Sequence, residues 1–214
     1  MSLDIQYGAL ILPRRRALAW FGVAALGVLL SACERPSASG AAAAFKGIDI
    51  TGVPYGRALA LTDQHGKPRT LADFHGQVVM LFFGFVQCPD VCPTALLRAA
   101  QVMQQLGPQA QQVQLLFVTL DPQRDTPELL RAYMAAFDPS FLALTGTAAQ
   151  IRVVADEFRV YYKTVATATS YTIDHTAMTY LLDRQGRLRV ALRHQQPTAD
   201  YVADVRLLLA EPAV

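Results

Sequence analysis

Cys88 and Cys92 stand in Phe85-Val86-Gln87-Cys88-Pro89-Asp90-Val91-Cys92-Pro93, between a continuous apolar run and a stretch of helical periodicity. A thiol at the start of a helix meets free N–H groups and the positive end of the helix dipole. Both lower its pKa and make it a nucleophile and a soft metal ligand. Four residues apart, the two side chains share one face if the segment is helical, and in a loop the sulfurs still come within disulfide reach. A structural disulfide, a redox dithiol and a metal-binding pair all use this arrangement. The first is the weakest, because so short a loop removes little entropy from the unfolded chain. The chain holds three cysteines, an odd number, so one of them has a separate task.

The elements that must position these thiols follow from the apolar pattern. Val78–Val86 and Gln114–Leu120 are short continuous runs of Val, Leu and Phe, as in strands covered on both faces of a parallel sheet. Between them Pro93–Leu106 carries apolar residues at helical spacing (Ala95, Leu96, Ala99, Val102, Met103, Leu106) and stops at Gly107-Pro108, which completes a right-handed βαβ unit. Asp125-Thr126-Pro127-Glu128 offers capping groups and a first-turn proline for a second helix running to about Phe137, and Ala148–Phe158 reads as a third. Met178–Asp183 and Leu188–Leu192 form a hairpin, and Thr198–Leu209 a closing helix. This is the order of a thioredoxin-like α/β fold, here with an N-terminal β-hairpin extension around Ala58–Leu71.

In a thioredoxin-type oxidoreductase the thiols are spaced C-x-x-C, and a cis-proline precedes the strand that faces them. Here the spacing is C-x-x-x-C, and the facing segment is Thr172-Ile173-Asp174-His175-Thr176, without proline. Fold order therefore brings His175 opposite Cys88 and Cys92. Two thiolates and one imidazole suit Cu(I), and tolerate Cu(II) if a further ligand or water joins. Structural zinc takes four protein ligands, and only three are in the pattern. Metal binding needs thiolates, so oxidation to the disulfide expels the ion. Asp174 either orients the histidine or caps a turn. His65, His75 and His194 are read as solvated, Met178 as core, and Tyr161 and Tyr162 as packing and rim residues.

The first part of the chain reads as an address. Arg14–Arg16 precede the uncharged stretch Ala17–Leu30 and then Leu30-Ser31-Ala32-Cys33, the layout of an export signal. The last four residues resemble a bacterial lipobox, whose cysteine becomes the lipidated first residue. An uncleaved membrane helix is the alternative, at the lower length limit for spanning a bilayer. Residues 1–32 are thus expected to be a lipoprotein signal peptide, 33–44 a flexible tether from lipidated Cys33, and 45–214 the folded domain. Removing residues 1–32 takes away Arg14, Arg15, Arg16 and Asp4 and leaves the remainder neutral, so no polycationic surface points to nucleic acid. The compartment is oxidising.

The stretch Gly84–Pro93 resembles the signature of the Sco/SenC family of copper chaperones. The likeness continues through Val118-Thr119-Leu120-Asp121-Pro122-Gln123-Arg124-Asp125-Thr126-Pro127-Glu128, Phe137-Asp138-Pro139, Leu144-Thr145-Gly146, Phe158-Arg159-Val160-Tyr161-Tyr162 and Asp174-His175-Thr176. The family usually has Thr-His before the first cysteine, where this chain has Val86-Gln87. The resemblance implies a thioredoxin-like domain that binds one copper ion through Cys88, Cys92 and His175. It also implies a membrane-tethered metallochaperone rather than an enzyme, on the periplasmic face of the inner membrane of the bacterial cell envelope. Its implied partners are cytochrome c oxidase subunit II, which receives the copper, and a periplasmic copper donor or thiol reductant. The alternative is a thiol:disulfide reductase that keeps the oxidase subunit's cysteines reduced, with Cys88 and Cys92 as its dithiol.

Overall fold

The computed structural model describes residues 44–212. The expected signal peptide, almost all of the expected tether and Cys33 lie outside them. In chain order the elements are β1 (Ile48–Asp49), β2 (Ala60–Asp63), β3 (Pro68–Thr70), β4 (Val78–Gly84), α1 (Val91–Leu106), β5 (Val113–Thr119), α2 (Pro127–Ala135), β6 (Leu142–Thr145), α3 (Ala148–Glu157), β7 (Tyr162–Ala166), β8 (Tyr171–His175), β9 (Met178–Leu182), β10 (Leu188–Arg193) and α4 (Thr198–Ala210). Eight strands form one mixed sheet in the order β1-β10-β9-β4-β5-β6-β2-β3, while β7 and β8 pair only with each other. Among the described residues no helix is long and apolar enough to cross a membrane.

The thioredoxin-like α/β architecture expected from the sequence is present, with the β2–β3 hairpin before its central strands. All seven residues of β4 are buried, as continuous apolar strands require when helices cover both faces. Strand β4 runs parallel to β5 from Val78↔Val113 to Gly84↔Thr119, and β5 runs parallel to β6. Both ends of the βαβ unit therefore emerge on the same edge, where the Cys88 loop follows β4 and the Asp121 loop follows β5. Helix α2 is capped by Thr126, whose side chain accepts the Leu129 N–H, with Pro127 at its first position. Phe83 sits mid-core, its ring 5.8 Å from Phe158 and 6.5 Å from Tyr180.

Two turns share one device. Asp63-Gln64-His65-Gly66-Lys67-Pro68-Arg69 joins β2 to β3, and Asp183-Arg184-Gln185-Gly186-Arg187-Leu188-Arg189 joins β9 to β10. In each, one oxygen of the aspartate accepts two backbone N–H groups, from His65 and Lys67 at 2.9 and 3.0 Å and from Gln185 and Arg187 at 3.0 Å. The other oxygen takes the arginine six residues on, Arg69 at 2.8 Å and Arg189 at 3.0 Å. Gly66 and Gly186 adopt the left-handed φ of 83° and 73° that closes the turn. Burial by itself would push both carboxyls up, yet these donors hold Asp63 and Asp183 below the usual carboxylate range.

A carboxyl with a lowered folded pKa stabilises the fold fully above its unfolded pKa, and that stability drains as pH falls through the folded value. The urea midpoint should therefore fall on acidification below about pH 4, near the unfolded carboxyl pKa. Asp183→Asn, which cannot ionise, should lower the midpoint at pH 7 and flatten this acid dependence; an unchanged slope would show that Asp183 does not carry it.

Candidate metal centre

Helix α1 starts at Val91, two residues before the expected Pro93, which places Cys92 in its first turn and Cys88 in the loop before it. The Cys92 N–H donates to the Cys88 sulfur at 3.4 Å, so a helix-terminal donor faces the first thiol. Cys92 is fully buried and Cys88 half-buried, and both are free thiols. Gly84 makes room for them. A Cβ there would lie 2.7 Å from the Cys92 sulfur and 2.9 Å from the Phe117 ring, closer than any carbon can sit.

His175 is the last residue of β8 and arrives from the separate hairpin, opposite Tyr162 in its register. Its Nδ1 lies 3.1 Å from the Thr176 carbonyl, which can only accept, so the ring proton resides there and the Nε2 lone pair faces the sulfurs. Nε2 is 3.7 Å from the Cys92 sulfur. The rings of Phe82 and Phe85 stand edge-on to the imidazole at 6.2 and 6.0 Å and exclude water from that side. The donor atoms of Cys88, Cys92 and His175 all lie within 4.8 Å of one another. The structure thus brings together the three residues singled out in the sequence.

The sulfurs divide the proton unequally. Cys92 hydrogen-bonds to the Cys88 sulfur and, against the penalty of burial, lowers the Cys88 pKa to about 3. The same hydrogen bond, together with burial, pushes Cys92 well up. The reduced pair carries one thiolate, on the more accessible Cys88, and one proton, on Cys92. Arrival of a soft cation displaces that proton.

A polar belt surrounds the site. Asp125, buried after β5, accepts the Val86 N–H at 3.1 Å and the Thr119 hydroxyl at 2.6 Å, while its other oxygen has no partner among the described residues. Desolvation raises its pKa. The hydroxyl of Tyr133, on α2, is also buried without a partner among the described residues, and burial and the two sulfurs push its pKa up. The sequence signal for this belt was the Asp121–Glu128 stretch, part of the Sco/SenC likeness and readable by itself as a strand end, turn and helix cap. Asp174 is exposed, faces Lys163 across the hairpin and makes no side-chain hydrogen bond among the described residues. The group that orients His175 is the Thr176 carbonyl. His65 and His75 are exposed as expected, whereas His194 is half-buried, its Nδ1 unpartnered among the described residues and its pKa lowered by burial.

The SCO1/SenC family model matches residues 50–210. A SCO2-like protein of Rickettsia prowazekii is 38% identical over 138 residues, which span 63% of this chain and 67% of that protein. A solved structure of Bradyrhizobium japonicum ScoI with copper bound is 39% identical, with a TM-score of 0.66 over 71% of this chain and 98% of that one. The solution structure of apo Sco1 from Thermus thermophilus is 40% identical, with a TM-score of 0.70 over 79% and 100% of the two chains.

Two outcomes follow from this geometry. The rate of Cys88 alkylation by iodoacetamide should stay nearly level from pH 8 to pH 5, where an ordinary thiol slows about tenfold per unit below its pKa. A rate that titrates near pH 8.5 would show that Cys92 does not stabilise the thiolate. Gly84→Ala should displace the Cys92 sulfur, costing about 1–3 kcal/mol by overpacking in chemical denaturation and weakening metal binding.

Proposed function

The chain belongs to the SCO1/SenC family, and on that premise we propose that it is a copper metallochaperone, holding one copper ion between Cys88, Cys92 and His175. The observation that carries this reading is the convergence of two sulfurs and an imidazole nitrogen within 4.8 Å, from segments far apart in the chain. Copper bound in the Bradyrhizobium relative supports it. So does the donor set, in which two soft thiolates and one borderline nitrogen fit Cu(I).

In this reading the domain is lipid-anchored through Cys33 at the periplasmic face of the inner membrane. It takes copper from a periplasmic donor and passes it to the binuclear copper centre of cytochrome c oxidase subunit II. The ion is cargo. The half-buried Cys88, the more accessible of the two sulfurs, admits an incoming ligand, and ligands are exchanged one at a time, so copper is never released to water. The phenylalanines behind His175 close the opposite side.

The polarised thiol pair favours a second reading, thiol:disulfide reduction of the oxidase subunit's cysteines. The Cys88 thiolate attacks a target disulfide and releases one target thiolate, forming a mixed disulfide. Cys92 then loses its proton and displaces the second target thiolate, leaving Cys88 joined to Cys92. Two electrons pass to the target.

One set of variants of the full chain separates the readings. The reduced chain should bind one equivalent of Cu(I) by anaerobic chelator competition, and Cys88→Ser or Cys92→Ser should abolish stoichiometric binding. His175→Ala should bind more weakly yet still reduce a disulfide target. If His175→Ala binds copper as the wild type does, the chaperone site is not the one described and dithiol exchange is the remaining function.

A further inference from the structure

His175 reaches the sulfurs from a hairpin that hydrogen-bonds to no other strand. Half of its ten strand residues are exposed, and Ile173 alone is buried, at 7% exposure. Beneath it, against α3 and the Asp121 loop, lies a cavity of about 230 Å³ lined in part by Ala148, Ile151, Tyr162 and Tyr171. Close packing therefore does not fix the strand that carries the imidazole.

One guanidinium, that of Arg124, joins the hairpin to the cysteine loop. Arg124 pairs through Nε with Asp121, and its Nη1 donates to the Gln87 side-chain oxygen at 2.9 Å and to the Tyr171 carbonyl at 2.9 Å. Its plane lies over the Tyr171 ring, 3.7 Å from the centroid. The Tyr171 hydroxyl in turn donates to the free oxygen of Asp121 at 2.9 Å. Gln87 immediately precedes Cys88, and Tyr171 opens the strand that ends at His175. We propose that Arg124 is a positioning residue for the copper centre, a clasp that fastens the histidine hairpin to the cysteine loop.

Three features of arginine matter here. It offers several donors in one rigid plane, it stacks on an aromatic face, and it keeps its charge at every relevant pH. Lysine supplies the charge alone. Gln87 takes part as an acceptor: its side-chain oxygen ties the residue before Cys88 to the same guanidinium that holds Tyr171. The belt thus acts through His175 without touching the metal.

The proposal rests on His175 being a copper ligand, and the tests keep the two apart. The reduced full chain is titrated with Cu(I) against a chromogenic chelator as wild type, Arg124→Ala, Arg124→Lys, His175→Ala and the Arg124→Ala/His175→Ala pair. Arg124→Ala should lose about 10-fold to 100-fold in affinity, the range for groups that orient metal ligands from behind. Arg124→Lys, which leaves the fold least disturbed, should recover only part of it. In the His175→Ala background the arginine change should add nothing, as for two residues acting through one interaction. Wild-type affinity in Arg124→Ala, full recovery in Arg124→Lys, or an undiminished loss in the His175→Ala background overturns the proposal. Hydrogen exchange of the metal-free chain reads the clasp without copper: amides of Tyr162–His175 should exchange faster in Arg124→Ala, and unchanged exchange overturns the clasp whatever copper does. A His175→Ala chain that binds like the wild type overturns the three-ligand reading and the copper half of this one, while the exchange comparison still decides the mechanical half.

Discussion

Everything at this site turns on a single proton held between two sulfurs at the mouth of a helix. Cys92 is too deeply buried to ionise readily, so it donates to Cys88, and the thiolate that results sits where solvent and an incoming ion can reach it. The proton, a metal ion and a sulfur–sulfur bond all compete for the same lone pairs. Which of them wins is set by redox conditions and copper supply, while the protein sets how finely the three are balanced.

The surrounding structure serves that competition. Gly84 leaves the space that the Cys92 sulfur fills, and the parallel pairing of β4 with β5 sets the Asp121 loop beside the cysteine loop. Asp125 ties the two loops through the Val86 N–H. The third donor comes from outside this frame, on a strand pair of its own, with its ring turned by the neighbouring Thr176 carbonyl. A rigid dithiol thus faces a more loosely mounted imidazole, the asymmetry that the proposed transfer of the ion would use.

How much of this could be read in the sequence depends on the kind of signal each part leaves. Strands β4 and β5 and the helices α1, α3 and α4 announce themselves by long apolar patterns, and the cysteines by their place between two of them. Strand β6, four residues long, is too short to show a period. Strands β7 and β8 are five residues each and half exposed; β7 shows no alternation, and the alternation of β8, Tyr171-Thr172-Ile173-Asp174, is too short to mark a strand by itself. Yet that hairpin carries His175, whose place opposite the thiols came from fold order rather than from its own neighbourhood. The Arg124 belt escaped for a different reason: Gln87, Asp121, Arg124 and Tyr171 meet only in three dimensions, and each alone passes for a turn or surface residue.

The paired aspartate turns at the ends of the β2–β3 and β9–β10 hairpins give the molecule an uneven stiffness. Asp63 has its carboxylate saturated by two amides and one guanidinium and Asp183 by two amides and two guanidiniums, so undoing either strands a buried charge. The strand pair that carries His175 has no such turn; Arg124 reaches it from the loop after β5. Fluctuations therefore gather at the working end and die out before they reach the base.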